Sequence, residues 1–228
     1  MSSSLASGNA PPTKPPLVFV VDDDVSVRES LEALIRHAGW QPETFPSAQE
    51  FLSRVRDDTP SCLVLDVELP DLNGLEVQER VAAHGTEMPV IFITGHGDIP
   101  MSVRAMKAGA AEFLTKPFAP DVLLTAIRRA LERSRAALAE ASGLRRLKQH
   151  YASLTPRERE VFSWVVSGLL NKQVGGELGM TEATVKAHRG QVMQKMKADS
   201  LADLVRIAAR LELPLPSRPA DSPTSRRS

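Results

Sequence analysis

The chain has 228 residues, 42% hydrophobic and 25% charged, an ordinary composition with length enough for two domains. No apolar run approaches the roughly 18 residues that span a bilayer, and Met1 to Pro12 shows neither the basic start nor the apolar core of a secretory leader. The single cysteine, Cys62, excludes an internal disulfide and a cysteine metal cluster, which fits a reducing compartment. A formal net charge of +0 hides a split: residues 1–133 carry 12 Lys+Arg against 19 Asp+Glu, and residues 134–228 carry 16 against 9. The second half is therefore the one suited to a polyanion.

Residues 1–16 hold Ser, Gly and four prolines with little to bury, which predicts a disordered tail. From Leu17, short apolar runs alternate with amphipathic stretches. Strands are predicted at 17–21, 41–45, 62–66, 90–93 and 111–115, and helices near 25–38, 47–56, 74–84, 99–108 and from about 120. Ser47 with Glu50 three residues later is a helix start signal. Gly39 and Gly109 fall where a helix end wants a left-handed residue. Five strand–helix units predict one parallel, doubly wound (flavodoxin-like) α/β sheet with helices on both faces, spanning 17–133.

The last of those helices is expected to run to about Arg146 within a charged helical linker, 134–153. Thr155-Pro156-Arg157-Glu158 then supplies a capping hydroxyl, a proline at the first helical position and a glutamate at the third. That helix should end near Gly168. Asn171 is expected to cap a short helix ending at Gly179, Thr181 a longer one through about Lys197, and Leu201 to Leu211 a fourth. Residues 154–213 thus read as a small all-α domain, and 214–228 return to tail composition.

Four predicted strands run into reactive side chains. Leu17 to Val21 runs into Asp22, Asp23 and Asp24; Leu63-Val64-Leu65 into Asp66; Val90 to Ile93 into Thr94; and Ala111 to Thr115 into Lys116. As neighbours in a parallel sheet, these ends meet at its carboxyl edge. Clustered carboxylates repel one another and need a cation; Mg²⁺ takes oxygen ligands and also binds phosphate oxygens. With the Lys116 ammonium and the Thr94 hydroxyl, the set can stabilise an acyl phosphate on one aspartate.

These positions, in this order, resemble the receiver domain of two-component response regulators over residues 17–131. The resemblance implies that Asp66 is the phosphoacceptor for a sensor histidine kinase. It implies that Asp23 binds Mg²⁺ directly, that Asp22 assists through water, and that Asp66 and the backbone carbonyl of Glu68 complete the protein ligands. Thr94 and Phe113 match the switch pair. Lys116, followed by Pro117 in a cis bond, matches the phosphate-binding lysine, while Asp24 reads as a helix cap. The face at about 99–133, with Val103, Met106 and Lys107 near it, matches the region that becomes a dimer surface.

In 181–197, Val185, Val192 and Met196 share one helical face. Ala183, Lys186, Ala187, Gly190 and Gln194 lie opposite, with Lys172, Arg189, Lys195 and Lys197 around them. Small residues between cations suit close entry into a major groove. Leu154 to Val161, Asn171 to Gly179 and Thr181 to Met196 resemble the LuxR-type helix-turn-helix domain, and the whole architecture resembles the NarL/FixJ family of response regulators. That implies base-edge positions at Lys186, Ala187 and Gly190. It implies phosphate contacts or local packing from Lys172, Thr184, Lys195 and His188, and pairing of two domains through the last helix, from Ser200. Gly175 and Gly176 depart from the alanines usual in the family, at an expected cost of about 1 kcal/mol each.

The chain is thus read as a cytoplasmic regulator of transcription, not an enzyme, with Mg²⁺ as cofactor. Its expected partners are a cognate sensor histidine kinase, double-stranded promoter DNA, a second copy of itself on phosphorylation, and RNA polymerase. One alternative is a phosphorylation-independent DNA-binding regulator with a vestigial receiver, which the complete set of site residues opposes. The other is a Mg²⁺-dependent phosphatase using Asp66 and Glu68, opposed by the basic helical domain it leaves unexplained.

Overall fold

The computed structural model describes residues 14–54, 58–83, 88–95, 99–214 and 216; the two predicted tails fall mostly outside these. The chain divides into two units, Met1–Ala139 and Glu140–Ser228. In the first, β1 (Leu17–Val21), β2 (Gln41–Phe45), β3 (Ser61–Asp66), β4 (Val90–Thr94) and β5 (Glu112–Thr115) pair in parallel in the order β2-β1-β3-β4-β5. This is the flavodoxin-like order. Helices α1 (Val25–His37) and α5 (Pro120–Ala152) pack on one face through Leu31, Ile35, Leu123 and Ile127, against Val18, Val20, Val64 and Ile91. Helices α2 (Ala48–Ser53), α3 (Gly74–Ala83) and α4 (Ile99–Lys107) cover the other through Phe51, Val77 and Ala105, against Phe19, Leu63, Leu65 and Phe92. Because β1, β3 and β4 are buried on both faces, they read in the sequence as unbroken apolar runs instead of alternating ones.

Asp24 caps α1, its carboxylate accepting from the amides of Ser26 at 2.7 Å and Val27 at 3.4 Å. Gly39 and Gly109 close their helices at φ +85° and +89°. Helix α2 stops at Ser53, earlier than expected: Arg54 turns to extended backbone and forks onto Glu43 of β2 at 2.8 and 2.7 Å. Helix α5 differs more. It runs unbroken for 33 residues to Ala152, past the expected end near Arg146. Packing onto the sheet also continues beyond 133, since Ser134 is buried and its hydroxyl accepts from the Ser61 amide at 3.0 Å. That partner lies far away in sequence, so no local pattern announces it.

The second unit holds α6 (Pro156–Val166), α7 (Asn171–Leu178), α8 (Glu182–Met196) and α9 (Leu201–Arg210), packed around Val161, Phe162, Val174, Val185, Val192 and Leu204. The capping box is complete: Glu158 amide to Thr155 Oγ1 at 3.3 Å, and Thr155 amide to Glu158 Oε2 at 2.7 Å. Helix α7 starts differently from the expectation. Leu170 is its N-cap, with its amide taken by the Gln173 side chain at 2.8 Å, while Asn171 lies inside the first turn and accepts from Arg189 of α8 at 3.2 Å. The two glycines of α7 also part company. A Cβ at Gly175 would lie 2.6 Å from the carbonyl oxygen of Met180, so a bare backbone there lets the turn into α8 close tightly. At Gly176 a Cβ would meet nothing within 4 Å, so the helix-weakening expected of both is uncompensated only there. Among the described residues no helix is long and apolar enough to cross a membrane.

Candidate functional site

The strand order reverses between β1 and β3, and the carboxyl ends on either side of that point line a crevice. Asp22 follows β1 and Asp66 ends β3; both are buried, as is Thr94 at the end of β4. Lys116 follows β5 and reaches across, its Nζ 2.7 Å from Asp22 Oδ2 and 2.7 Å from Asp66 Oδ2. The remaining oxygens are also engaged. Asp22 Oδ1 accepts from the Asp24 amide at 2.9 Å, and Asp66 Oδ1 from the Glu68 amide at 3.0 Å. Asp23 is exposed at the mouth, and one carboxylate oxygen from each of Asp22, Asp23 and Asp66 lies within 4.8 Å of the others. The Lys116–Pro117 bond is cis.

Burial pushes the Asp22 carboxyl above the usual aspartate range, and the Asp66 charge adds to this, against the opposing pull of Lys116 and the Asp24 amide. Burial acts to lower Lys116, but its hydrogen bonds to Asp22 and Asp66 outweigh it and keep the ammonium above its ordinary value. Lys116 therefore stays charged, and the pocket still carries a surplus of negative charge. An all-oxygen donor set with that surplus fits a hard divalent cation such as Mg²⁺. Strand register places Phe113 opposite Phe92 and Thr115 opposite Thr94, so Phe113 and Thr94 share the α4 face of the sheet. The half-buried Phe113 ring sits 6.2 Å from that of Phe92.

Three residues that shape this site escape a reading of strand ends. Arg28 of α1 donates from Nη1 to the carbonyl oxygens of Asp22 at 2.7 Å and Asp23 at 2.9 Å. Its signal is its place one turn after Asp24, since long helical side chains lean back toward the helix start. Gly74 opens α3 against the backbone of Asp66; a Cβ there would come within 2.8 Å of the Asp66 carbonyl oxygen. Asp71 accepts from the amides of Ala48 at 3.3 Å and Gln49 at 2.9 Å, tying the loop after Asp66 to the start of α2.

In the second unit, Val185, Val192 and Met196 of α8 are buried, while Ala183, Lys186, Ala187, Gly190 and Gln194 are exposed, as their spacing predicts. Lys172 and Thr184 are exposed and His188 is half-buried. The Thr184 hydroxyl lies 2.8 Å from that of Thr181. Lys195, expected to serve a phosphate contact or local packing, makes a local ion pair. Its Nζ lies 2.9 and 2.7 Å from the two oxygens of Glu158, which is only 5% exposed, so it serves local packing and holds α8 to the start of α6. The Lys195 hydrogen bond, then the Thr155 amide, keep the Glu158 carboxyl below the usual glutamate range. Lys172, Lys186 and Lys197 remain as exposed lysines of α7, α8 and its C-cap.

Residues 18–128 match the response regulator receiver domain, and residues 152–208 match the luxR family of bacterial regulatory proteins. Nodulation protein W of Bradyrhizobium diazoefficiens is 51% identical over 195 residues, 86% of each chain. The transcriptional regulatory protein FixJ of the same species is 39% identical over 193 residues, 85% of this chain and 94% of that one. The solved structure of the response regulator StyR matches with a TM-score of 0.79 at 48% identity, over 86% of this chain and 99% of the other. Sheet order, acidic crevice and these likenesses define a response regulator: a receiver domain joined to a LuxR-type DNA-binding domain, in the service of transcription regulation. The chain belongs to the NarL/FixJ family.

Proposed function

We propose that Asp66 accepts a phosphoryl group from the phosphohistidine of a sensor histidine kinase, and that its acyl phosphate drives pairing of two copies and binding to promoter DNA. The observation that carries this reading is the Lys116 ammonium held 2.7 Å from both the Asp22 and the Asp66 carboxylates. Asp66 attacks phosphorus in line: the O–P bond forms as the P–N bond breaks, and the imidazole nitrogen keeps the electron pair. Lys116 passes from the Asp66 carboxylate to a phosphoryl oxygen and balances the added charge. Asp23, Asp66 and the Glu68 carbonyl, with Asp22 through water, would hold Mg²⁺, which supplies positive charge for the phosphoryl oxygens. The Thr94 hydroxyl takes another phosphoryl oxygen, and Phe113 turns into the space Thr94 leaves.

Three surfaces support the rest of the reading. Beside Lys116, a groove of about 520 Å³ lined by Val27, Leu31, Leu34, Pro117 and Phe118 offers a helical kinase an apolar seat next to the site. On α4, Ile99, Val103 and Met106 are exposed at helical spacing, an apolar stripe suited to a second copy. Around Lys186, Ala187 and Gly190, exposed small and basic residues suit base edges, with Lys172 and Thr184 for phosphates and His188 at the margin. The working site is the cytoplasm, where DNA and RNA polymerase are met.

Labelled acetyl phosphate tests the first step. Wild type should take up label only with Mg²⁺ and as a base-labile acyl phosphate, and Asp66→Asn should take up none. Equal labelling of both would place the acceptor elsewhere and overturn the role of Asp66, and labelling of neither would replace this reading with the phosphorylation-independent one.

A further inference from the structure

Asp22 and Asp23 are consecutive, but the structure holds them differently. The Asp22 carboxylate is fixed twice, by Lys116 on one oxygen and the Asp24 amide on the other. Among the described residues no hydrogen bond or ion pair holds the Asp23 carboxylate, so its direction is set by its backbone alone. That backbone is pinned by Arg28: one nitrogen, Nη1, donates to the carbonyl oxygens of both Asp22 and Asp23, at 2.7 and 2.9 Å. From this we infer that Arg28 is a positioning residue, which presets the β1–α1 loop so that the Asp23 carboxylate meets those of Asp22 and Asp66 around a divalent cation.

The inference rests on the acidic crevice being the Mg²⁺ site, and it differs in sign from a simple charge effect. A guanidinium beside three carboxylates repels a dication, so removing its charge alone would tighten Mg²⁺. Removing a positioning contact loosens it instead, because the ligands must then be ordered at the moment of binding; lost outer contacts of this kind typically cost about 10-fold or more in metal affinity. Both bonds come from a single nitrogen. A lysine ammonium, with three donors on one nitrogen, can therefore make both, whereas methionine, an unbranched side chain with no donor, can make neither.

The test is a Mg²⁺ titration of the full chain without phosphodonor, followed by backbone amide chemical shifts, on wild type, Arg28→Met and Arg28→Lys. Unfolding midpoints in EDTA give the fold control. If the methionine variant does not fold, Arg28→Gln, about two atoms shorter, takes its place. Positioning predicts that Arg28→Met binds Mg²⁺ about 10-fold or more weakly and that Arg28→Lys stays within about 3-fold of wild type. Unchanged or tighter binding by Arg28→Met overturns the inference while leaving the metal site in place. A lysine variant as weak as the methionine variant overturns the one-nitrogen argument that carries it. Failure of wild type itself to bind Mg²⁺ overturns both the inference and the site reading beneath it.

Discussion

Replacing Lys195 by methionine separates packing from DNA contact on α8. Glu158 is 5% exposed and receives Lys195 at 2.9 and 2.7 Å, so the substitution strands a buried carboxylate. Breaking one side of a fully buried pair costs about 3–5 kcal/mol. Here Glu158 keeps the Thr155 amide, and the Lys195 side chain is 32% exposed, so water reaches the gap. The expected loss is about 1–3 kcal/mol. Unfolding of the second unit can be followed by Trp164 fluorescence in a Trp40→Phe background. Glu158→Gln combined with Lys195→Met should recover part of the loss, because no charge is then left buried. The slope of log affinity for DNA against log salt should not change in Lys195→Met, whereas Lys172→Met should reduce it by about 0.9. A fall of that size for Lys195→Met with unaltered stability would refute the clamp and make Lys195 a phosphate ligand.

The same pair sets a pH dependence. The folded Glu158 carboxyl lies below its ordinary value near about 4.3, so its contribution is present above that pH and lost as pH falls through the depressed folded value. Glu158→Gln should flatten the acid limb of unfolding followed by Trp164. Gly176→Ala should raise the stability of the second unit by about 0.5–1 kcal/mol in urea unfolding, and Gly175→Ala should not share the gain, because its Cβ meets the Met180 carbonyl oxygen at 2.6 Å. Gly74→Ala should slow phosphoryl uptake from acetyl phosphate, since its Cβ must push against the backbone of Asp66; uptake at the wild-type rate contradicts that crowding. Cys62 is fully buried and burial pushes its thiol far up, so native protein should react with maleimide only as fast as it unfolds.

Residues that end strands were legible because chain order and sheet topology suffice to bring them together. Asp22, Asp66, Thr94 and Lys116 needed only parallel strands and the two-residue period. The α8 face was legible for a like reason, with Val185, Val192 and Met196 marking its buried side. What stayed hidden depends on contacts that periodicity does not encode. Glu158 looked complete as a capping residue, yet its carboxylate also receives Lys195 from the far end of another helix. Asn171 has the composition of an N-cap but serves Arg189, and a leucine caps in its place with the help of Gln173. Arg28 acts on backbone carbonyls, which every residue has, so no acidic partner in the sequence points to it.

The central claim is that phosphoryl chemistry at Asp66 controls DNA binding by the helix-turn-helix domain. Its most direct test is a DNA-binding titration across salt concentrations, with and without acetyl phosphate and Mg²⁺, on wild type and Asp66→Asn, with the state of association read in parallel. The account predicts that phosphodonor tightens binding and promotes dimers in wild type alone. Equal binding by both proteins, with no response in either, would contradict it and leave a DNA-binding protein that its receiver does not govern.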